Sequence, residues 1–307
     1  MLNKFEFFRK KVYIKYVDES GVFCNSISSA IPQTVVANAV RAHMERGGKT
    51  KKAAIIGFDG ARADGIVPVV KSNYDKYINH AKYSALEDLK SHGGIFLSYT
   101  GGDRTCKQET STPQGWAAMI TGEWAKVTGV YSPCDVLKNT DTVLTEYAKK
   151  GKKTVFKSAW PVHFEVTYKE EIRKAGENNL SVQFNQIEDN DDILTEEMIK
   201  SVTTDNCDIS FCIFELPDHT GHETKMGFWN HNPQYLKAIT QCDKNAYKII
   251  KAIEGRETYN DEDWLIIISS DHGGHLTTHG RQFYSDKIIF IAANKKEYFL
   301  LNGRAGS

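Results

Sequence analysis

The sequence predicts an α/β fold: a doubly wound, mostly parallel sheet with helices on both faces, plus a small N-terminal extension. Three observations carry this. Short apolar runs of strand length alternate with longer segments of helical period. The apolar runs are continuous rather than alternating, as in strands covered on both faces. Several of them end directly in Asp, Gly or Ser, residues that open a loop.

In chain order, residues 1–50 show a strand pattern at "KVYIKYV" (11–17) and a helix within "SSAIPQTVVANAVRAHMERGG" (28–48), entered through Pro32 and stopped by Gly47 and Gly48. They form the extension, and residues 51–307 form the main domain. "KKAAIIGFDG" (51–60) is the first buried strand. Helical patterns follow in "SALEDLKSHG" (84–93), "TPQGWAAMITGEW" (112–124) and "DTVLTEYAKKG" (141–151), and then a strand in "TVFKSAW" (154–160). The stretch 161–192 is polar, poorly periodic and acidic at its end, and is expected to be a surface insertion over the site. "DISFCIFEL" (208–216) and "DWLIIISS" (263–270) are strands on either side of a long helix, "NPQYLKAITQCDKNAYKIIKAIEG" (232–255), closed by Gly255. Sheets of this kind bind ligands beyond the carboxyl ends of their strands. Asp59, Asp218 and Asp271 fall there.

Composition excludes some functions. Among the 307 residues, Lys plus Arg and Asp plus Glu both total 39, so no overall field recruits a nucleic-acid polymer or an anionic membrane. The six cysteines form no CxxC pair and are expected to be reduced, small apolar residues. The first 17 residues interrupt their aromatics with charges, and no run of 18 apolar residues occurs, so a soluble, cytoplasmic protein is expected.

The chemistry concentrates at three strand ends. "SSDHGGHLTTHG" (269–280) holds Asp271, His272, His275 and His279; "ELPDHTGH" (215–222) holds Asp218 and His222, an i, i+4 pair with a glycine between them that lets a loop turn; "GFDG" holds Asp59. Carboxylates and imidazoles converging in this way suit Zn²⁺ or a similar first-row ion, and two adjacent ions would divide such a set. An isolated Asp after a strand is usually a turn former, and an isolated His is often a satisfied core residue, but three such ends together point to a site. His219, His231 and His275 are assigned to the surface or to supporting positions, with His275 competing with His279 as a ligand. Hydroxyls at Thr110, Ser111 and Thr112 precede a helix whose N-terminus favours an anion such as phosphate.

In their order, "GFDG", "STPQGWAAMITG", "ELPDHTGH", "SSDHGG" and "THG" resemble the alkaline phosphatase superfamily, and within it the nucleotide pyrophosphatase/phosphodiesterase branch. The resemblance runs from about Lys51 to His279, which makes 51–307 the catalytic domain. It implies two divalent ions of the zinc class, one held by Asp218, His222 and His279, the other by Asp59, Asp271, His272 and the nucleophile oxygen. In the family the nucleophile lies nine residues before the Thr of a "TG" pair, here Thr121-Gly122, which selects Thr112; the spacing to the proline selects Ser111 as the alternate. Thr112 is preferred because a helix fixes its distance to "TG" rigidly. Gly115 stands where a sulfatase would need arginine, so sulfatase action is not expected. The asparagine that binds a phosphoryl oxygen in the phosphodiesterases has no counterpart, leaving the backbone near Thr112 or Lys126 as the oxyanion donor. Trp116, Trp124, Trp160, His163, Phe164 and Trp229 are candidates for a leaving-group pocket.

The expected function is metal-dependent hydrolysis of a phosphodiester bond of the nucleotide pyrophosphate or phosphodiester type, in a small molecule, through a phosphothreonine intermediate. The alternatives are a phosphomonoesterase, phosphonate hydrolase or phosphomutase, for which Arg62 and Lys126 are the nearby cations, and a non-catalytic metal-stabilised binding protein.

Overall fold

The structure, a computed structural model, describes residues 4–70 and 83–300. Eight strands form one sheet: β1 (Ile31–Pro32), β2 (Thr50–Phe58), β3 (Gly94–Tyr99), β4 (Thr154–Ser158), β5 (Val182–Gln186), β6 (Ile209–Phe214), β7 (Glu262–Ser269) and β8 (Ile288–Ala293). Their order is β1-β3-β8-β7-β2-β6-β4-β5. Only β8 runs against its neighbours, β3 and β7, so the sheet is mostly parallel as expected.

The period-two geometry of a strand sorts β2 between two cores. Ala53 and Ile55 pack with Phe211, Ile213, Leu265 and Ile267 under the helices Val35–Met44 and Thr112–Thr121. Ala54, Ile56 and Phe58 pack with Cys212, Phe214, Ile266 and Ile268 under Ala63–Val70, Asp191–Val202 and Pro233–Glu254. Both faces are covered, which explains the continuous apolar runs. Ser84, Thr142 and Asn232 cap three of the expected helices through their side chains, to Glu87, Thr145 and Gln234 respectively.

Three local expectations are corrected. "KVYIKYV" is not a strand but part of the helix Lys4–Asp18, because Tyr13 and Val17 at i, i+4 face Ala63, Leu97 and Ile288 while Val12 and Tyr16 face solvent. Pro32 does not enter a helix. It lies in β1 at the sheet edge, where its missing N–H costs no ladder bond, and the helix begins at Val35. The helix begun at Thr112 ends at Thr121 and a short turn, Ala125–Thr128, follows, because Gly122 adopts φ +82.

Residues 161–192 contain a π-helical turn (His163–Thr167), the helix Lys169–Glu177 and edge strand β5. Strands β3 and β8 escape the alternation of the sequence pattern: "IIFIAA" follows the site loop with only the short turn Tyr284–Lys287 between them. Among the described residues, no helix is long and apolar enough to cross a membrane.

Candidate active site

Strands β7, β2 and β6 are adjacent, and their carboxyl ends are level, with Phe58 paired to Phe214 and Gly57 to Ser269. The residues that follow therefore converge. Asp59, Asp271 and His272 are wholly buried. Asp218 and His222 do not lie in a loop as the sequence suggested: they are one turn apart on the helix Leu216–Glu223, which has Pro217 in its first turn, so their i, i+4 spacing is helical and puts both on one face. Gly60 makes the close approach feasible, since it adopts φ +66 and a Cβ there would come within 2.8 Å of Asp218 Oδ1.

Two sets of three ligand atoms gather, Asp59 with Asp271 and His272, and Asp218 with His272 and His279, each within 4.8 Å. His272 Nε2 lies 3.3 Å from Asp271 Oδ2 and 3.5 Å from Asp59 Oδ1. His222 Nε2 is 3.3 Å from Asp218 Oδ2, and His279 Nε2 is 3.8 Å from Asp218 Oδ1. The rings of His272 and His279 stack at 3.9 Å. All three histidines direct Nδ1 to a backbone carbonyl: His222 to Thr277 at 2.9 Å, His272 to Gly273 at 2.7 Å and His279 to Thr110 at 3.2 Å. With Nδ1–H donating, each Nε2 is left as a lone pair aimed at the carboxylates, the tautomer a cation requires. Asp218 Oδ1 and Asp271 Oδ2 are buried without a hydrogen-bond partner among the described residues. Such oxygens are costly unless a cation meets them, and the donor set fits two divalent ions of the zinc class.

The electrostatics agree. Burial pushes the Asp59 and Asp271 carboxyls well above the usual range, helped by Asp271 and Asp218 at the first and by Asp218 at the second. Burial would also raise Asp218, but the imidazoles around it, His222 first, hold it below its ordinary value whenever they carry a second proton; the same pairing raises His222, so that without a cation a proton rather than a lone pair can sit between His222 Nε2 and Asp218. Burial, with His279 beside it, brings His272 down to about 3, and burial lowers His279. The two buried imidazoles are thus neutral, ready ligands near neutral pH.

Of the hydroxyls, Thr112 Oγ1 stands 3.1 Å from His272 Nε2 and 3.5 Å from Asp59 Oδ1, at the first residue of its helix. Ser111 Oγ instead donates to Gln114 Oε1 at 2.8 Å, and Thr110 Oγ1 donates to the carbonyl of Arg281 at 2.7 Å. At Gly115 a Cβ would come within 2.7 Å of Asp271 Cβ, so no side chain fits where a sulfatase would carry arginine. Gly115→Ala is accordingly expected to destabilise the fold by about 1–3 kcal/mol through overpacking, measured by denaturant unfolding.

The structure gives other roles to several residues. Arg62 is no free cation for a phosphoryl group: it donates to both oxygens of Asp64 at 2.7 Å and to the carbonyls of Phe228 at 2.8 Å and Gly274 at 3.1 Å, which ties together the loops that carry the site. Tyr235 extends this clamp, donating to Gly60 O at 2.6 Å and accepting from Arg62 N at 3.0 Å. Lys126 is exposed on the turn after the helix Thr112–Thr121. Trp116 and His163 are fully buried and cannot line an open pocket; the Trp116 indole N–H instead donates to Asp59 Oδ2 at 3.0 Å and fixes that carboxylate. Trp124 stacks on Tyr99, while Trp160 and Phe164 pack around His163. Trp229, half exposed, follows Phe228 in the chain, and the Phe228 ring is 5.2 Å from that of His222. Glu215, not among the residues expected at the site, is buried beside the cluster and pushed up to about 8 by that burial, although Ser158 Oγ donates to it at 2.8 Å. Its place three residues before Asp218 was the available signal.

His219 faces Asp189 at 4.0 Å, His231 packs on Trp229, and His275 Nδ1 lies 2.8 Å from the buried Asp286. His279→Ala is therefore expected to lose metal and most activity, whereas His275→Ala keeps both; elemental analysis and a hydrolysis assay of the two variants check this.

Residues 54–292 match the family model described as type I phosphodiesterase / nucleotide pyrophosphatase. The chain belongs to this family. Among solved structures, a phosphonoacetate hydrolase from Sinorhizobium meliloti 1021 aligns with this phosphodiesterase-family chain at a TM-score of 0.52 and 12% identity, over 73% of this chain and 57% of its own. A protein in the alkaline phosphatase superfamily from Vibrio parahaemolyticus aligns at 0.50 and 15%, over 84% and 68%. Murine ectonucleotide pyrophosphatase / phosphodiesterase 5 aligns at 0.49 and 16%, over 73% and 57%. The first two likenesses are of fold, and the chain spans only 57% of the length of the hydrolase and of the murine protein. Among curated proteins no match is found.

Proposed function

We propose that this protein hydrolyses small-molecule phosphodiesters, with two zinc-class ions and Thr112 as nucleophile. The observation that carries the proposal is the position of Thr112 Oγ1, 3.1 Å from His272 Nε2 and 3.5 Å from Asp59 Oδ1 at the start of a buried helix. Asp59, Asp271 and His272 would hold one ion beside this hydroxyl, and Asp218, His222 and His279 the other. Ions bound there would acidify the hydroxyl and neutralise charge on the phosphoryl oxygens and the leaving group.

The chain's own groups do the rest. Thr112 gives up its proton to solvent water, its Oγ1 forms a bond to phosphorus, and the bond from phosphorus to the leaving oxygen breaks in line, the electron pair departing with that oxygen, which can take up a proton from solvent. At the helix start, Pro113 has no N–H and Gly115 N–H is taken by Ser111 O, so the N–H groups of Thr112 and Gln114 are the ones that would serve the phosphoryl oxygens. Water then attacks the phosphothreonyl ester and frees Thr112. Trp116 keeps Asp59 oriented throughout, and the stacked, neutral His272 and His279 carry no proton that must first be removed.

A diester, with one negative charge, needs less cationic help than a monoester dianion. The full engagement of Arg62 and the exposure of Lys126 support the diester over the monoester, phosphonate and mutase alternatives. The test is a panel of aryl phosphodiester, phosphomonoester, phosphonate and sulfate ester with zinc-reconstituted protein. The diester is expected to be cleaved fastest; a preference for any other ester, or hydrolysis of none, would overturn the proposal.

A further inference from the structure

We infer that Trp229 and Leu276 form an apolar platform for the substrate's leaving group, so that the enzyme favours diesters whose leaving group is aromatic or otherwise apolar; this rests on the function proposed above. The cluster has a closed end and an open end. Around Thr112, the side chains of Asp59 and His272 are wholly buried, whereas His222 retains 41% of its side-chain surface. An in-line displacement puts the leaving oxygen opposite the attacking one. With Thr112 at the closed end, the leaving group lies toward Asp218, His222 and His279, where the site meets solvent.

At that mouth two loops touch backbone to backbone. Phe228 N–H donates to Leu276 O at 2.8 Å, and Gly227, at φ +60, lies so near Leu276 that no side chain could replace its hydrogen. The same loops hold the histidines: Thr277 O accepts from His222 Nδ1, and the Phe228 ring lies 5.2 Å from His222 and 6.1 Å from His279. The residues next to these contacts are apolar and turned outward. Leu276 is 74% exposed and Trp229 50%, and Met226 adds a further exposed side chain at 41%. Leu276 also holds φ +48, a backbone state that an L-residue adopts at a cost and that Asn or Gly would take more readily. A strained, solvent-facing leucine one residue from a ligand's hydrogen-bond partner contributes nothing to the core. Its carbonyl is bonded to Phe228, the residue before Trp229, and the two exposed apolar side chains on these joined loops offer a surface for a flat apolar group.

Two substrates that transfer the same thymidylyl group separate this inference from its foundation: the p-nitrophenyl ester of thymidine 5′-monophosphate and thymidine 5′-triphosphate, whose leaving groups are p-nitrophenolate and pyrophosphate. Trp229→Ala and Leu276→Asn, both at exposed positions and the second compatible with the left-handed backbone, are compared with wild type in kcat/KM and in the split between kcat and KM. The variants are expected to lose about tenfold or more in kcat/KM on the aryl ester, chiefly through KM, and to stay within about twofold on the triphosphate. Equal losses on both substrates, or none on the aryl ester, would overturn the platform while leaving the phosphodiesterase intact. If wild type cleaves neither, the underlying function falls, and the platform with it.

Discussion

Thr112→Ala is expected to reduce turnover by on the order of 10⁴-fold or more, because a positioned alkoxide is replaced by water that must find its own geometry. The metal content should change little, since Asp59, Asp271, His272, Asp218, His222 and His279 all remain. Ser111→Ala should be much milder: its hydroxyl is occupied with Gln114 Oε1, and its loss frees one buried acceptor without touching the ligand cluster. Steady-state kinetics on the aryl diester, with metal analysis of each variant, distinguishes the two. An inactive Ser111→Ala beside an active Thr112→Ala would move the nucleophile by one residue and make the proline spacing the better guide.

Asp271→Asn is expected to act with opposite signs on stability and on metal binding. Burial, with Asp218 nearby, raises the Asp271 carboxyl in the folded state. A carboxyl whose folded pKa exceeds its unfolded one contributes stability that is fully present below the ordinary value of about 4 and is lost as pH rises through the raised one. The metal-free wild type should therefore become less stable as pH rises across that window, and the Asp271→Asn variant should be spared part of the loss. The introduced amide keeps an Oδ1 for Gly60 N, which lies 3.2 Å from the Asp271 carboxylate, and can donate toward His272 Nε2, which lies 3.3 Å from it. Zinc affinity, in contrast, should fall by more than the roughly 10–100-fold that loss of an outer-shell partner costs. Thermal unfolding of the metal-free proteins between acidic and mildly alkaline pH, together with zinc titration, measures both; a metal-free variant less stable than wild type at the alkaline end would contradict the account.

The contrast between what the residues announced and what they concealed has physical reasons. Strands β2, β6 and β7 were legible because a parallel strand buried on both faces is an uninterrupted apolar run, and their ends were legible because Asp and His there serve no packing purpose. Helix starts were marked by Ser84, Thr142 and Asn232, whose side chains do the capping. The helix Lys4–Asp18 was not legible, since Tyr13 and Val17 are spaced for a helix inside a stretch whose aromatics and charges also alternate like a strand. The spacing of Asp218 and His222 was visible, but the intervening glycine suggested a turn; the structure shows that a Cβ at Gly221 would come within 2.4 Å of the Phe228 ring. Arg62 looked like a free cation because sequence shows charge and not partners, and its four hydrogen bonds come from residues as distant in the chain as Gly274. The adjacent hydroxyls of Ser111 and Thr112 differ mainly in which way they point, which no spacing rule encodes.

Rapid quenching of zinc-reconstituted enzyme during turnover of bis(p-nitrophenyl) phosphate, followed by peptide mass mapping, tests the central claim most directly. A p-nitrophenyl phosphoryl adduct is expected on Thr112, forming as the first p-nitrophenolate is released, decaying at the turnover rate, and missing from Thr112→Ala. Full turnover without any adduct on Thr112, or an adduct on Ser111 instead, would contradict it.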